Sequence, residues 1–320
     1  MKLLEVVAQS AAILTEGGLI ERLRRDPAVR LDPALLHAGF VYDSEGRARL
    51  GRLYREYLEI GRTFDLPMIV GTPTWRVNPD RAAAAGLRSL EEINREGAWF
   101  LRAIQGEYGR YAAQVFIAGM LGPRGDAYRP AEALPAADAA EFHAPQADAL
   151  AEGGADFLLA ATLPACSEAL GLARAMGRTG LPYALSFVLR PDGRLLDGTP
   201  LGTAMAEIDD VALPPPAFYL ANCTHPETFR AAMRAAVRQS PGVRHRLIGL
   251  QANSSEKPPE MLETLPSLDA MEPDAFAAAM AEVRAEFGTR ILGGCCGTDD
   301  RHIAALARRV APHEEPLTST

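Results

Sequence analysis

Apolar positions along the chain gather into eight short runs, each followed by a longer stretch in which apolar residues recur every three or four positions. The runs are Ala11 to Glu16, Pro67 to Thr72, Gln114 to Met120, Asp156 to Ala161, Pro182 to Val188, Ala217 to Asn222, Arg246 to Gln251 and Thr289 to Leu292. Several are apolar almost throughout, as expected of parallel strands covered on both faces rather than of strands with one wet side. Eight strand and helix alternations predict an α/β fold, a (β/α)8 TIM barrel. A single barrel domain over residues 1–311 and a polar tail over 312–320 account for the whole chain.

Helix starts carry their own signals. Ser89 followed by Glu92 forms a capping-box pattern ahead of Leu90, Ile93, Ala98, Leu101 and Ile104, and Thr224 with Glu227 repeats it after Cys223. Pro273 and Gly288 bracket a seventh helix, and Thr298 is placed to cap the eighth. The first strand-to-helix connection, from Gly17 to about Ser44, is too long to be structureless and predicts short helical pieces over the barrel mouth.

Composition narrows the function. With 48% hydrophobic and 23% charged residues in 320, the chain reads as an ordinary globular protein, and no stretch approaches the roughly 20 apolar residues of a membrane span. The 33 Lys and Arg are scattered against 41 Asp and Glu for a net charge of -8, so there is no basic footprint for nucleic acid or an anionic membrane. Glu5 and Gln9 interrupt any signal-peptide core, which makes the cytoplasm the expected location. No Walker loop or GxGxxG follows a strand, so nucleotide binding through a glycine fingerprint is unsupported.

Cysteine placement changes the picture most. Cys223 follows the sixth strand, and Cys295 with Cys296 follows the eighth inside Gly293-Gly294-Cys295-Cys296-Gly297-Thr298. Residues just after barrel strands converge at one end, so the three thiols are expected to reach one ion, Zn2+, and to leave its fourth position open to a thiol. Cys166 reads as structural, His225 as an exposed helix-start residue and His302 as packing or surface. Glu16 and Asn253, polar at strand ends, are pocket candidates. Trp75 and Phe187 either shape the pocket or pack the barrel, and Asp192 and Asp197 are turn residues beside Gly193 and Gly198.

The stretches Ile291-Leu292-Gly293-Gly294-Cys295-Cys296-Gly297-Thr298 and Ala221-Asn222-Cys223-Thr224-His225-Pro226 resemble the two zinc motifs of the zinc-dependent homocysteine S-methyltransferases. Weaker matches are Leu14-Thr15-Glu16-Gly17-Gly18, Ala118-Gly119-Met120-Leu121-Gly122-Pro123, Ser186-Phe187, Leu196-Asp197-Gly198-Thr199-Pro200 and Ala252-Asn253-Ser254. The resemblance implies zinc ligation by Cys223, Cys295 and Cys296, and substrate contacts from Glu16, Gly17, Gly18, Thr72, Asn222 and Asn253. It also implies methyl transfer to homocysteine from a small donor of the S-methylmethionine, S-adenosylmethionine or betaine type, giving methionine. A separate corrinoid protein is a further candidate partner.

Departures from the family pattern cluster at the same end of the barrel. The family has an aspartate where Glu16 stands, and Glu-Thr where this chain has Ala161-Thr162. Thr72-Pro73-Thr74-Trp75 replaces Thr-Asn-Thr followed by Tyr or Phe, and Ser255 replaces a glycine. The loss of a carboxylate at Ala161 removes a partner that a buried ammonium wants. Three readings stay open: a homocysteine methyltransferase, one acting on a different thiol, and a zinc-thiolate barrel that binds a sulfur compound without turnover. A metal-free barrel enzyme is the weakest alternative.

Overall fold

Eight parallel strands close into a barrel in sequence order, the last pairing with the first through Ile13 opposite Ile291 and Leu14 opposite Leu292. The computed structural model describes residues 2–87, 89–257 and 269–312. The strands are β1 Ile13–Thr15, β2 Met68–Gly71, β3 Val115–Leu121, β4 Phe157–Leu163, β5 Tyr183–Phe187, β6 Phe218–Thr224, β7 Leu247–Ala252 and β8 Ile291–Gly294. Each coincides with one predicted run. Residues 313–320 of the expected tail lie outside the described residues.

Side-chain alternation divides the core into two layers. Ile13, Ile69, Phe116, Phe157, Phe218 and Ile291 point into the barrel, where they pack with Leu3, Val6 and Val7 of the helix Leu3–Gln9. That helix precedes β1 directly and so plugs the end of the barrel at which the strands begin. Neighbouring positions such as Leu14, Met68, Val70 and Leu292 point outward into a larger layer beneath the helices.

The strands that feed the site depart most from regular geometry. β4 and β6 each run two residues past their predicted ends, and their pairing slips between Ala160 and Leu163 and between Asn222 and Thr224. At those slips Thr162 and Cys223 take left-handed backbone conformations, φ 63° and 49°, that non-glycine residues rarely adopt. Cys223 therefore belongs to the end of β6 and not to the loop after it.

Helix caps correct two expectations. The helix Leu90–Gly106 starts as predicted, with Ser89 accepting the Glu92 N–H at 3.1 Å. The helix Pro226–Gln239, however, is capped by His225 and not Thr224, because Thr224 is still in the sheet, where its hydroxyl accepts the Leu189 N–H. The helix Asp300–Val310 is capped by Asp299, since the Thr298 hydroxyl is committed to Cys295 and Gly18. Pro273–Phe287 begins and ends as expected, with Gly288 left-handed after it. The long first connection contains the helix Leu19–Arg24 and a single helical turn, Ala38–Val41, before the helix Ser44–Thr63.

Candidate metal centre and substrate cavity

Cys223, Cys295 and Cys296 form a cluster whose three sulfurs lie within 4.8 Å of one another. The Sγ atoms of Cys295 and Cys296 are 4.0 Å apart, and those of Cys223 and Cys295 are in direct contact across a Cα separation of 5.6 Å. Three thiolates around zinc at ~2.3 Å occupy corners about 3.8 Å apart, a spacing that Cys295 and Cys296 match, whereas Cys223 and Cys295 stand closer, as a disulfide pair; the soft donor set of the three sulfurs is the one that suits this metal.

The local backbone explains the clustering. Gly294 N donates to Glu16 O at 3.1 Å and Cys295 N to Ala252 O at 2.7 Å, which ties the cysteine pair to the ends of β1 and β7. Thr298 Oγ1 donates to Cys295 O and accepts from Gly18 N. A methyl group on Gly18 would approach Cys295 O to 2.5 Å, so only glycine allows β1 to run this close. On the other side, Asn222 Oδ1 accepts the Thr162 N–H at 2.8 Å and the Ser186 hydroxyl at 2.7 Å. Its Nδ2 donates to Thr162 Oγ1 at 2.7 Å and approaches Cys223 Sγ at 3.5 Å. One carboxamide thus holds both left-handed residues.

The cluster opens into a cavity of about 290 Å³ at the C-terminal ends of the strands. Of the substrate residues expected from sequence, Glu16, Gly17, Gly18, Thr72 and Asn222 line it. Asn253 does not: it is buried beside the cavity, where its side-chain oxygen accepts the Ser255 N–H at 3.0 Å and shapes the turn after β7. Thr72 uses its hydroxyl on Met120 N and Thr74 Oγ1.

Glu16 is a strongly perturbed group of the lining. Its Oε1 accepts the Gly71 N–H at 2.8 Å, while Oε2 is buried with no partner. Burial pushes its carboxyl up to about 7, against the lowering effect of the backbone hydrogen bonds. Ala161 also lines the cavity. Trp75 reaches it from the loop after β2, donating from Nε1 to Ala161 O at 3.1 Å.

Other expectations divide. Trp75 is a cavity residue, whereas Phe187 is fully buried and stacks on Tyr219 in the barrel wall. His225 is buried rather than exposed: Nδ1 accepts from Glu227 N and Nε2 lies 3.3 Å from Met271 Sδ, so it stands apart from the cysteine cluster. His302 is packing, with Nδ1 on Asp299 and Nε2 on Met271 O. Burial pushes the Cys166 thiol up to about 12, consistent with a structural role. Asp192 and Asp197 close turns onto Arg194 N and Thr199 N.

Sequence reasoning missed His37, Tyr54, Arg81 and Thr162, all of which line the cavity. His37 comes from the long first connection, is buried with Nδ1 unpartnered, and is held neutral by burial, which pushes it down to about 4. Tyr54 donates to Gly71 O at 2.6 Å from the helix Ser44–Thr63. No motif marks His37, Tyr54 or Arg81, which arrive from separate elements, and Thr162 is visible in the sequence only as the second residue of the altered Ala161-Thr162 pair.

The sequence profile of the homocysteine S-methyltransferases matches residues 13–310. The chain belongs to the homocysteine S-methyltransferase family. It is 31% identical over 215 residues to the homocysteine S-methyltransferase of Escherichia coli, covering 62% of this chain and 64% of that protein. It is 25% identical over 283 residues to the methionine synthase of Mycobacterium tuberculosis; the match takes in 83% of this chain but only 22% of that longer protein. The crystal structure of the Escherichia coli homocysteine methyltransferase MmuM in its metallated form superposes with a TM-score of 0.75 at 22% identity, covering 95% of this chain and 98% of that one. Its oxidized form superposes equally well. These likenesses bear out the barrel. Among the described residues no helix is long and apolar enough to cross a membrane.

Proposed function

We propose that this family member transfers a methyl group from a small donor to the thiolate of homocysteine, giving methionine, with Cys223, Cys295 and Cys296 as ligands of a zinc ion. The observation that carries this reading is the convergence of the three sulfurs at the wall of the cavity. A zinc ion there supplies the Lewis acidity that keeps an added thiol ionised at neutral pH, where a free thiol of pKa ~8.5 is mostly protonated. The chain's own part is positional. Asn222 orients Cys223, the glycine loop fixes Cys295 and Cys296, and the buried lining excludes water from the reacting sulfur. The new bond between acceptor sulfur and carbon forms as the donor's bond to that methyl breaks, and the electron pair stays with the donor.

Glu16 is assigned to the ammonium of the acceptor. It is buried in the lining with one oxygen unpartnered, and an ammonium there supplies the charge partner that favours its ionised form. Ala161 favours a second reading, in which the acceptor is a thiol without an amine, because a single carboxylate remains where the family has two. The donor is assigned to the S-methylmethionine, S-adenosylmethionine or betaine type, with a separate corrinoid protein as the alternative source.

The test is purification under reducing, zinc-replete conditions, with metal quantified and methyl transfer followed for homocysteine and for 4-mercaptobutyrate, its analogue without the amine. One zinc per chain and methionine formation are expected. Transfer confined to 4-mercaptobutyrate supports the second reading, zinc without transfer to either thiol points to binding alone, and absence of zinc refutes the metal site.

A further inference from the structure

Charge is distributed unevenly along the cavity. Its buried end is built from Glu16, Thr72, Asn222 and the cysteines, with no cationic side chain among the described residues that line it there. Elsewhere in the lining, the first connection and the segment after β2 bring in Arg24, Arg25, Arg76 and Arg81. The two other carboxylates of the lining are both engaged: Glu21 pairs with Arg25 at 2.6 Å and Arg24 at 3.4 Å, and Asp269, beside the cysteine loop, pairs with Lys257 at 3.2 Å.

Arg81 differs from these. It lies on the short helix Pro79–Ala84, is half-buried, and makes no ion pair among the described residues. Among the described residues its only side-chain hydrogen bond runs from a terminal nitrogen to Ala34 O at 3.4 Å, and its Nε is buried with no partner there. A guanidinium partly stripped of water wants an anion, and its fork of donors fits a carboxylate with two bonds. Beside it Arg76 stacks on Trp75, 4.3 Å from the ring centroid, and donates to Gly125 O. The Trp75 face, the kind of surface that attracts a bare onium, thus already carries a cation.

We infer that Arg81 is a specificity residue that binds a carboxylate of the methyl donor, so that the cavity selects zwitterionic donors over purely cationic ones. The inference rests on the methyl-transfer reading for what the ligand is, but the charge pattern concerns binding alone. A zwitterion lies along the cavity with its onium methyl toward the cysteine cluster and Glu16 and its carboxylate toward Arg81. An ester or amide of the same onium meets the guanidinium with no charge to offer. The volume, about 290 Å³, suits molecules of amino-acid size.

Calorimetric binding of S-methylmethionine, S-adenosylmethionine and glycine betaine, each beside its methyl ester and in the absence of any thiol, tests this without turnover. At least one acid is expected to bind about tenfold tighter than its ester to the wild type. Arg81→Gln is expected to bring acid and ester within about twofold, and Arg81→Lys to keep most of the preference. Thermal melting of both variants checks that they fold, and the acid-to-ester ratio of the wild type is scored even if Arg81→Gln does not. Equal binding of acid and ester to the wild type, a preference that survives Arg81→Gln, or failure to bind any of the three acids overturns the inference. Failure of methyl transfer alongside a clear acid preference counts against the proposed reaction and not against the role of Arg81.

Discussion

Asn222 accepts the backbone N–H of Thr162 at 2.8 Å, and through that bond one carboxamide joins Thr162 to Cys223, both of which hold left-handed backbone conformations. Thr162 and Cys223 lie on β4 and β6, two strands apart. Sparsely populated conformations of this kind cost of order 1–3 kcal/mol each and persist where surrounding bonds enforce them. Here those bonds converge on Asn222.

Asn222→Ala removes these bonds and leaves the Thr162 N–H buried without an acceptor. A stability loss of about 1–3 kcal/mol is expected, read as a lower unfolding midpoint. The variant is also expected to lose zinc to a chelator at concentrations about ten- to hundredfold lower than the wild type does, because Cys223 is no longer oriented. An unchanged chelator titration would separate Asn222 from the metal site.

The cysteines themselves give a sharper outcome. Cys223→Ala, Cys295→Ala and Cys296→Ala should each reduce bound zinc well below one per chain and abolish methyl transfer, while Cys166→Ala, remote from the cluster, should leave both intact. Retention of activity by Cys223→Ala would instead favour the metal-free barrel.

Glu16 predicts two opposite pH effects. Its folded-state carboxyl is raised to about 7 from an ordinary value of 4.5, so the folded protein binds the extra proton between those values. The stability it contributes is present below about 4.5 and is lost as pH rises through about 7. The difference in unfolding free energy between the wild type and Glu16→Gln, both without ligand, should therefore decline across that window. Recognition of the acceptor runs the other way, because an ammonium needs the ionised carboxylate. The preference for homocysteine over 4-mercaptobutyrate should grow as pH rises through about 7 in the wild type, and should stay flat in Glu16→Gln.

Gly18→Ala tests how tightly the first strand is fitted to the cysteine loop. Its added methyl would approach Cys295 O to 2.5 Å and Thr298 O to 3.2 Å, both backbone atoms that cannot swing aside. The variant should fold with reduced zinc content, since the loop that carries Cys295 and Cys296 must shift. Full zinc occupancy would show that the loop moves at no cost.

The barrel was legible because both faces of each strand are covered, which leaves continuous apolar runs such as those ending at Thr72 and Gln251. Strand ends at the site were not. The extra residues of β4 and β6 include Thr162 and Cys223 in left-handed conformations, and no composition signal marks a threonine or a cysteine for that role. The caps failed for a related reason: Thr224 and Thr298 have the right chemistry and spacing, but their hydroxyls are engaged by Leu189, Cys295 and Gly18 from elsewhere in the fold. The cysteines were readable as a trio because they recur at strand ends. Arg81 and His37 were not, since isolated charged and polar residues in connections look like ordinary surface until the barrel brings them together. Asn253 shows the converse, a polar residue at a strand end whose side chain turns to its own loop.

The sulfur cluster draws on β6 and on the segment after β8, with β7 between them, and Cys223 and Cys295 are 72 residues apart in the chain. During synthesis, a nascent chain that has already released Cys223 still lacks both of its partners and the strand that closes the ring. Under the proposed zinc reading, metal capture would thereby be tied to completion of the barrel: the ion would have no three-sulfur seat on a half-made protein, and loading would be a late step of biogenesis.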